Sequence, residues 1–149
     1  MKSPIFNQVP ILLTQNYKGE RHRGVDIRSF DFVNFRLLPV ICTEKMIVVR
    51  IGIDGYGNNF LVGRPFDDTV CTDIKYIHVN FNPDVVEGAI LGEGYPIGIT
   101  AIDSDYNPKR GNSFAHHLHF ETWKGNMHLD PVIYFSSGEI QVIQKTSRA

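Results

Sequence analysis

The stretch AHHLHFETW, Ala115 to Trp123, places three of the chain's six histidines within four residues and follows them with a glutamate. Leu118 and Phe120 alternate with the polar positions, the period of two expected of a half-buried β-strand. Read as a strand, the segment turns Leu118 and Phe120 to the core and presents His117, His119 and Glu121 together on the other face. A His-x-His pair so presented can meet one metal ion or one substrate, or can be two solvated surface histidines; the pair alone does not choose. His116 has the opposite parity and stays outside the candidate site.

The same strand pattern recurs upstream. TDIKYIHVNF (Thr72–Phe81) alternates, which predicts Tyr76, His78 and Asn80 on one face and Ile77, Val79 and Phe81 on the other. VVRIGI (Val48–Ile53), then the turn-rich DGYGNN, then FLVG predict a hairpin. AILGEGYPIGITAI is too punctuated by glycine for a helix, and DPVIYF reads as a last strand or a short turn. No segment holds a long 3.6-residue period with caps, so helices should be few and short. The expectation is one mainly β, antiparallel domain over residues 1–149, with long loops, of which DSDYNPKRGNS (Asp103–Ser113) is the most loop-like.

Composition narrows the function classes. A chain of 149 residues, 42% hydrophobic, can bury one core and not two sizeable ones. A net charge of -1 without a basic run lacks the electrostatic footprint of a nucleic-acid binder. No apolar run reaches the length of a bilayer span. The N-terminus, MKSPIFNQVPILLTQ, interrupts its apolar stretch with Asn7, Gln8 and Pro10, so no secretory signal is expected there. Cys42 and Cys71 stand far apart, outside any CxxC pairing; they could form one disulfide or remain two core thiols.

RHRGVDIRSF separates His22 from Asp26 by three residues, and imidazole nitrogen and carboxylate oxygen both suit zinc. A spacing of four keeps one strand face, although a turn at Gly24 could alter that parity. Taken in order, HRGVD, DGYGNN, KYIHVN, HLHFE and DPVIYF resemble the lysostaphin-type (LytM-like) zinc metallopeptidases, which cut peptide bonds in bacterial peptidoglycan. The resemblance runs from about Leu13 to Phe135, nearly the whole chain.

The resemblance implies a β domain with loops around a metal cleft and one Zn²⁺ per chain, held by His22, Asp26 and His119. It matches His117 and His78 to the two non-ligand histidines of the family's catalytic centre, with His117 as general base and His78 as its partner, roles that could be exchanged. Three protein ligands leave a fourth position for water, the arrangement of a catalytic zinc site. Glu121, on the same face, is a candidate acceptor for the far nitrogen of a ligand imidazole. The chain departs from the family where His116 replaces a usual proline and where DSDYNPKRG is inserted; Tyr106, Lys109 and Arg110 of that loop could meet a stem peptide and its carboxylates. A cupin pattern fails, because Trp123 and Lys124 occupy the positions its glutamate requires, and a zincin is excluded by the lack of HExxH. The implied partner is a peptidoglycan peptide, and the setting is a phage lysin or virion-associated wall hydrolase, with a bacterial wall enzyme as the alternative. The rival class is a non-catalytic, peptidase-like module that binds within an assembly.

Overall fold

Fourteen strands and two single turns of 3₁₀ helix form the regular structure of the described residues, 3–100, 117–135 and 140–142 of the computed structural model. In chain order the strands are β1 (Ile11–Gln15), β2 (Val25–Arg28), β3 (Phe30–Asp31), β4 (Arg36–Leu37), β5 (Pro39–Ile41), β6 (Met46–Ile53), β7 (Asn59–Pro65), β8 (Asp73–Ile77), β9 (Val79–Phe81), β10 (Ile90–Leu91), β11 (Pro96–Thr100), β12 (His117–Lys124), β13 (Met127–Leu129) and β14 (Ile140–Val142). Tyr106, Lys109, Arg110 and His116 lie outside the described residues. Among the described residues, no helix is long and apolar enough to cross a membrane.

The large sheet has nine strands in the order β10-β6-β7-β8-β12-β2-β1-β14, with β13 hydrogen-bonded to β12 beside that path. A three-stranded sheet, β5-β11-β9, and the small β3-β4 hairpin complete it. Pairings are antiparallel apart from β1 with β14. The mainly β expectation therefore holds, and so does the hairpin: β6 and β7 pair from Met46↔Pro65 to Ile53↔Asn59 around the DGYGN turn. DPVIYF is a turn, with Pro131–Ile133 in a 3₁₀ helix capped by the Asp130 carboxylate on the Val132 amide. Both cysteines are free and buried.

Alternation on β12 is realised as read. Leu118 and Phe120 are fully buried, and the Phe120 ring lies 5.2 Å from Tyr76 and 5.4 Å from Phe135. Burying one such side chain stabilises the fold by about 1.5–3 kcal/mol. The inward face thus fixes the strand's register, and the outward histidines inherit that register.

On β8 the expected parity fails. Tyr76 is fully buried, accepting a hydrogen bond from the Thr43 amide (3.1 Å) and reaching the Ile41 carbonyl (3.3 Å), whereas Ile77 faces the cleft. The cause is the backbone of His78, whose φ of 69° is left-handed and separates β8 from β9. A left-handed residue breaks the two-residue alternation, so positions before and after it cannot be placed by one parity.

Candidate metal centre

Strand register alone assembles most of the site. Phe60 pairs with Ile77, Ile77 with His119, His119 with Asp26, and Asp26 with Gln15, a single row across β7, β8, β12, β2 and β1. Directly opposed residues share a face with Cβ atoms about 5 Å apart. His117 sits two residues from His119, on the same face, opposite Arg28. The cleft over this row is lined by Gln15, His22, Asp26, Asn58, Ile77, His78, His117 and His119, and has a volume of about 320 Å³.

His22 reaches the row from a loop. The 3₁₀ turn Gly19–Arg21 ends at His22, and hydrogen bonds from His22 N to Gly19 O (3.1 Å) and Lys18 N to His22 O (2.8 Å) close it. Gly24 then lets the chain pass tightly over β12: a Cβ there would stand 2.3 Å from the Phe120 carbonyl oxygen and 2.9 Å from Glu121 Cγ. Backbone cannot yield at such a distance without shifting the strand. Gly24→Ala should therefore destabilise the protein by about 1–3 kcal/mol in urea unfolding, the usual cost of forcing atoms into packed space. An unchanged unfolding midpoint would show that the loop can lift without cost.

His22 Nε2 and His119 Nδ1 both approach Asp26 Oδ1, at 3.2 and 2.9 Å, and the three ligand atoms all lie within 4.8 Å of one another. Around tetrahedral zinc with bonds of 2.0–2.1 Å, neighbouring ligand atoms are about 3.3 Å apart. The far ring nitrogens are engaged elsewhere. His22 Nδ1 donates to the Asn16 carbonyl (2.8 Å), and His119 Nε2 donates to Glu121 Oε2 (2.8 Å). With the far nitrogen donating, an ion that displaced the near proton would meet a lone pair aimed at the centre, the usual dressing of a metal-ligating imidazole. Glu121 is itself held by the Trp123 indole N–H at 2.7 Å. Donor set, spacing and tautomers therefore fit a zinc ion.

Charge is concentrated here. Burial would raise the Asp26 pKa, but hydrogen bonds from His119 and His22, with the charges of His117 and His119, hold its carboxyl well below the usual range. Burial would lower that of His119; hydrogen bonds and charge from Asp26 and Glu121 prevail and raise it to about 9. Glu121 is lowered, again against burial, by its hydrogen bond with His119. Metal-free, the centre is thus an imidazolium between two carboxylates. A raised folded-state pKa contributes stability below the unfolded value, about 6.5, and loses it as pH climbs through the folded one; the depressed carboxylates lose theirs on the acid side. Chelator-treated protein should therefore melt lower at pH 10 than at pH 6, and His119→Ala should flatten much of that difference. Equal slopes in the two proteins would exclude the buried ion pair.

His117 and His78 adjoin the three donors without joining them. His117 Nε2 is 3.7 Å from Asp26 Oδ2, and the His78 ring centre lies 5.0 Å from that of His117 and 6.3 Å from that of His119. His78 is 6% exposed, and its left-handed backbone is the kind of local strain that concentrates at functional positions. Sequence reasoning missed Gln15, Asn58 and Ile77 in the lining. It also missed His128, which joins the Tyr17 hydroxyl (2.7 Å) to Glu20 (2.7 Å) and braces the His22 loop against the β12–β13 hairpin. Asn58 reads as turn chemistry and Ile77 as core; strand register exposes Ile77, and the lining of the cleft exposes Asn58.

No protein-family model and no curated protein matches the chain. Solved structures do. The catalytic domain of the prophage-encoded M23 protein EnpA from Enterococcus faecalis, a point mutant, aligns over 90% of this chain and 98% of its own, at 18% identity and a TM-score of 0.60. Lysostaphin aligns over 87% of this chain at 22% identity and 0.56, and a zinc-containing peptidase from Vibrio cholerae over 85% at 22% and 0.55. The chain spans 50% of that lysostaphin chain and 39% of the Vibrio cholerae peptidase. Agreement across almost the whole chain, with the His–Asp–His centre in a cleft over the sheet, gives this protein the lysostaphin/LytM-type peptidase fold.

Proposed function

We propose that this chain is a zinc-dependent endopeptidase that hydrolyses peptide bonds of bacterial peptidoglycan, in a cross-bridge or a stem peptide. The observation that supports it best is the convergence of His22 Nε2, Asp26 Oδ1 and His119 Nδ1 while both imidazoles donate their far nitrogens, beside a second histidine pair. His22, Asp26 and His119 would hold the ion, which when bound would supply a water of pKa about 7 and polarise the scissile carbonyl. His117 Nε2, facing the outer oxygen of Asp26, takes the water's proton and returns it to the leaving amine. His78, its ring centre 5.0 Å from that of His117, donates to the developing oxyanion. Glu121 keeps His119 in the tautomer that presents Nδ1. The place of action is then the cell wall, reached by phage delivery or by release on lysis.

Purified protein incubated with sacculi of known bridge chemistry should release fragments whose masses identify one cleaved peptide bond. A strong chelator should abolish release, and added Zn²⁺ should restore it. Intact sacculi in the presence of zinc would favour the non-catalytic module instead.

A further inference from the structure

Beside the metal centre, on the same face of the large sheet, two cations converge on one aromatic ring. Phe60 is 4% exposed and pairs with Ile77 of the cleft on one side and with Gly52 on the other. Gly52 leaves that ring its room, since a Cβ there would stand 3.0 Å from Phe60 Cζ. Arg50 Cζ and Lys75 Nζ each lie 5.0 Å from the centre of the ring. Register puts them there: Arg50, Val62, Lys75 and Glu121 form the row next to Gly52, Phe60, Ile77 and His119. Neither cation belongs to an ion pair among the described residues. The neighbouring carboxylates are held by other groups. Glu121 accepts from His119 and Trp123, Asp73 pairs with Arg64 (3.6 Å), and Glu87 accepts from the Ile51 amide (3.1 Å).

We infer that Arg50 and Lys75 form a subsite for a free carboxylate of the bound peptide. The inference rests on the endopeptidase reading above and adds to it the charge of the substrate. Two cations drawn to one ring repel each other, and an anion that meets both relieves that repulsion. Contact with the ring also holds both side chains in place beforehand, so less freedom is lost on binding. Arg50 is exposed and Lys75 half-buried, so both are open to a ligand lying along the sheet face. Guanidinium and ammonium donate charge-assisted hydrogen bonds, which a carboxylate accepts more strongly than a neutral amide does. Phe60 stands two strands from β12, hence about 10 Å from the His119 column at about 4.8 Å per strand. An extended peptide crosses that distance in about three residues, at about 3.3 Å each. The carboxylate therefore belongs to a residue about three positions from the scissile bond, as a side chain or as a chain terminus.

The test sets charge on the substrate against charge on the protein. A synthetic peptide spanning the bond found in the sacculus digest carries glutamate or glutamine at one position at a time, on either side of that bond. A parallel set ends at each position as the free acid or the amide, which separates a side-chain carboxylate from a chain terminus. For the wild-type protein, an acid about three residues from the bond should raise kcat/KM about tenfold over its amide, mainly through KM. That ratio should shrink as salt is raised, because an exposed ion contact is screened. Lys75→Met and Arg50→Met, which keep an apolar stem over Phe60, should each cut the ratio severalfold without loss of zinc. The double variant should bring it close to one, while Lys75→Arg, which keeps the charge, should preserve it. A merely structural role over Phe60 would slow acid and amide peptides alike and leave the ratio at its wild-type value, which overturns the inference. So does an acid preference found only at other distances from the bond, or at none. If Lys75→Met does not fold, Arg50→Met, at the exposed position, decides alone. Should sacculi stay intact, the endopeptidase reading fails by itself, and the same acid–amide pairs in a cross-bridge or stem peptide, read on Kd, judge the two cations.

Discussion

Replacing Asp26 with Ala is expected to lower zinc content to below about a tenth of one ion per chain and to abolish peptide cleavage, while the β fold persists. Asp26 supplies one of the three converging donors among the described residues, and its Oδ1 is the atom that both proposed ligand imidazoles approach, at 3.2 and 2.9 Å. Removing a group that merely orients a ligand costs about 10–100-fold in metal affinity; removing the ligand itself costs more. The fold survives because the neighbours Val25 and Ile27 face the core, fully buried, while the Asp26 side chain faces the cleft. Its backbone pairings with His119 and Gln15 do not depend on the carboxylate. Asp26→Asn, which preserves shape, is the companion variant. Metal analysis beside far-ultraviolet circular dichroism reads both halves of the expectation, and a full zinc complement in either variant would remove Asp26 from the ligand set.

How much of this was legible beforehand differs residue by residue. His117, His119 and Glu121 could be placed on one face because β12 obeys the strand period without interruption. The inward partners Leu118 and Phe120 are fully buried, so nothing local competes with that reading. His22 could be paired with Asp26 by type but not by geometry. The intervening chain turns through a 3₁₀ segment and a glycine whose purpose, close passage over Phe120, exists only once β12 is beside it. His78 misled the parity of the strands on either side of it because a left-handed residue other than glycine leaves no signature in the alternation. The second sheet was invisible for a related reason: β5, β9 and β11 have three, three and five residues, too few to show a period. Asn58 was hidden by fitting its turn too well, since asparagine in a glycine-rich hairpin loop already has a sufficient explanation.

Substituting the other two histidines should separate metal binding from turnover. His117→Ala and His78→Asn are expected to retain about one zinc per chain and yet to cleave peptide about a hundredfold more slowly or worse, the usual contribution of a positioned acid or base. Asparagine is the better replacement at position 78, because it tolerates the left-handed backbone that alanine would strain, so a loss of activity cannot be blamed on the φ of 69°. Retention of zinc follows from the geometry. His117 Nε2 stands 3.7 Å from Asp26 Oδ2, the His78 ring centre is 6.3 Å from that of His119, and neither residue belongs to the group of three converging donors among the described residues. The loss should fall on kcat, since a group that moves a proton acts in the transition state and not in the bound ground state. The double variant should be little slower than the worse single one if the pair works as a unit, for removing one member already disables the other. If instead both single variants turn over at near wild-type rates with zinc in place, the second histidine pair has no part in proton transfer, and the acid and base must be sought elsewhere along the cleft.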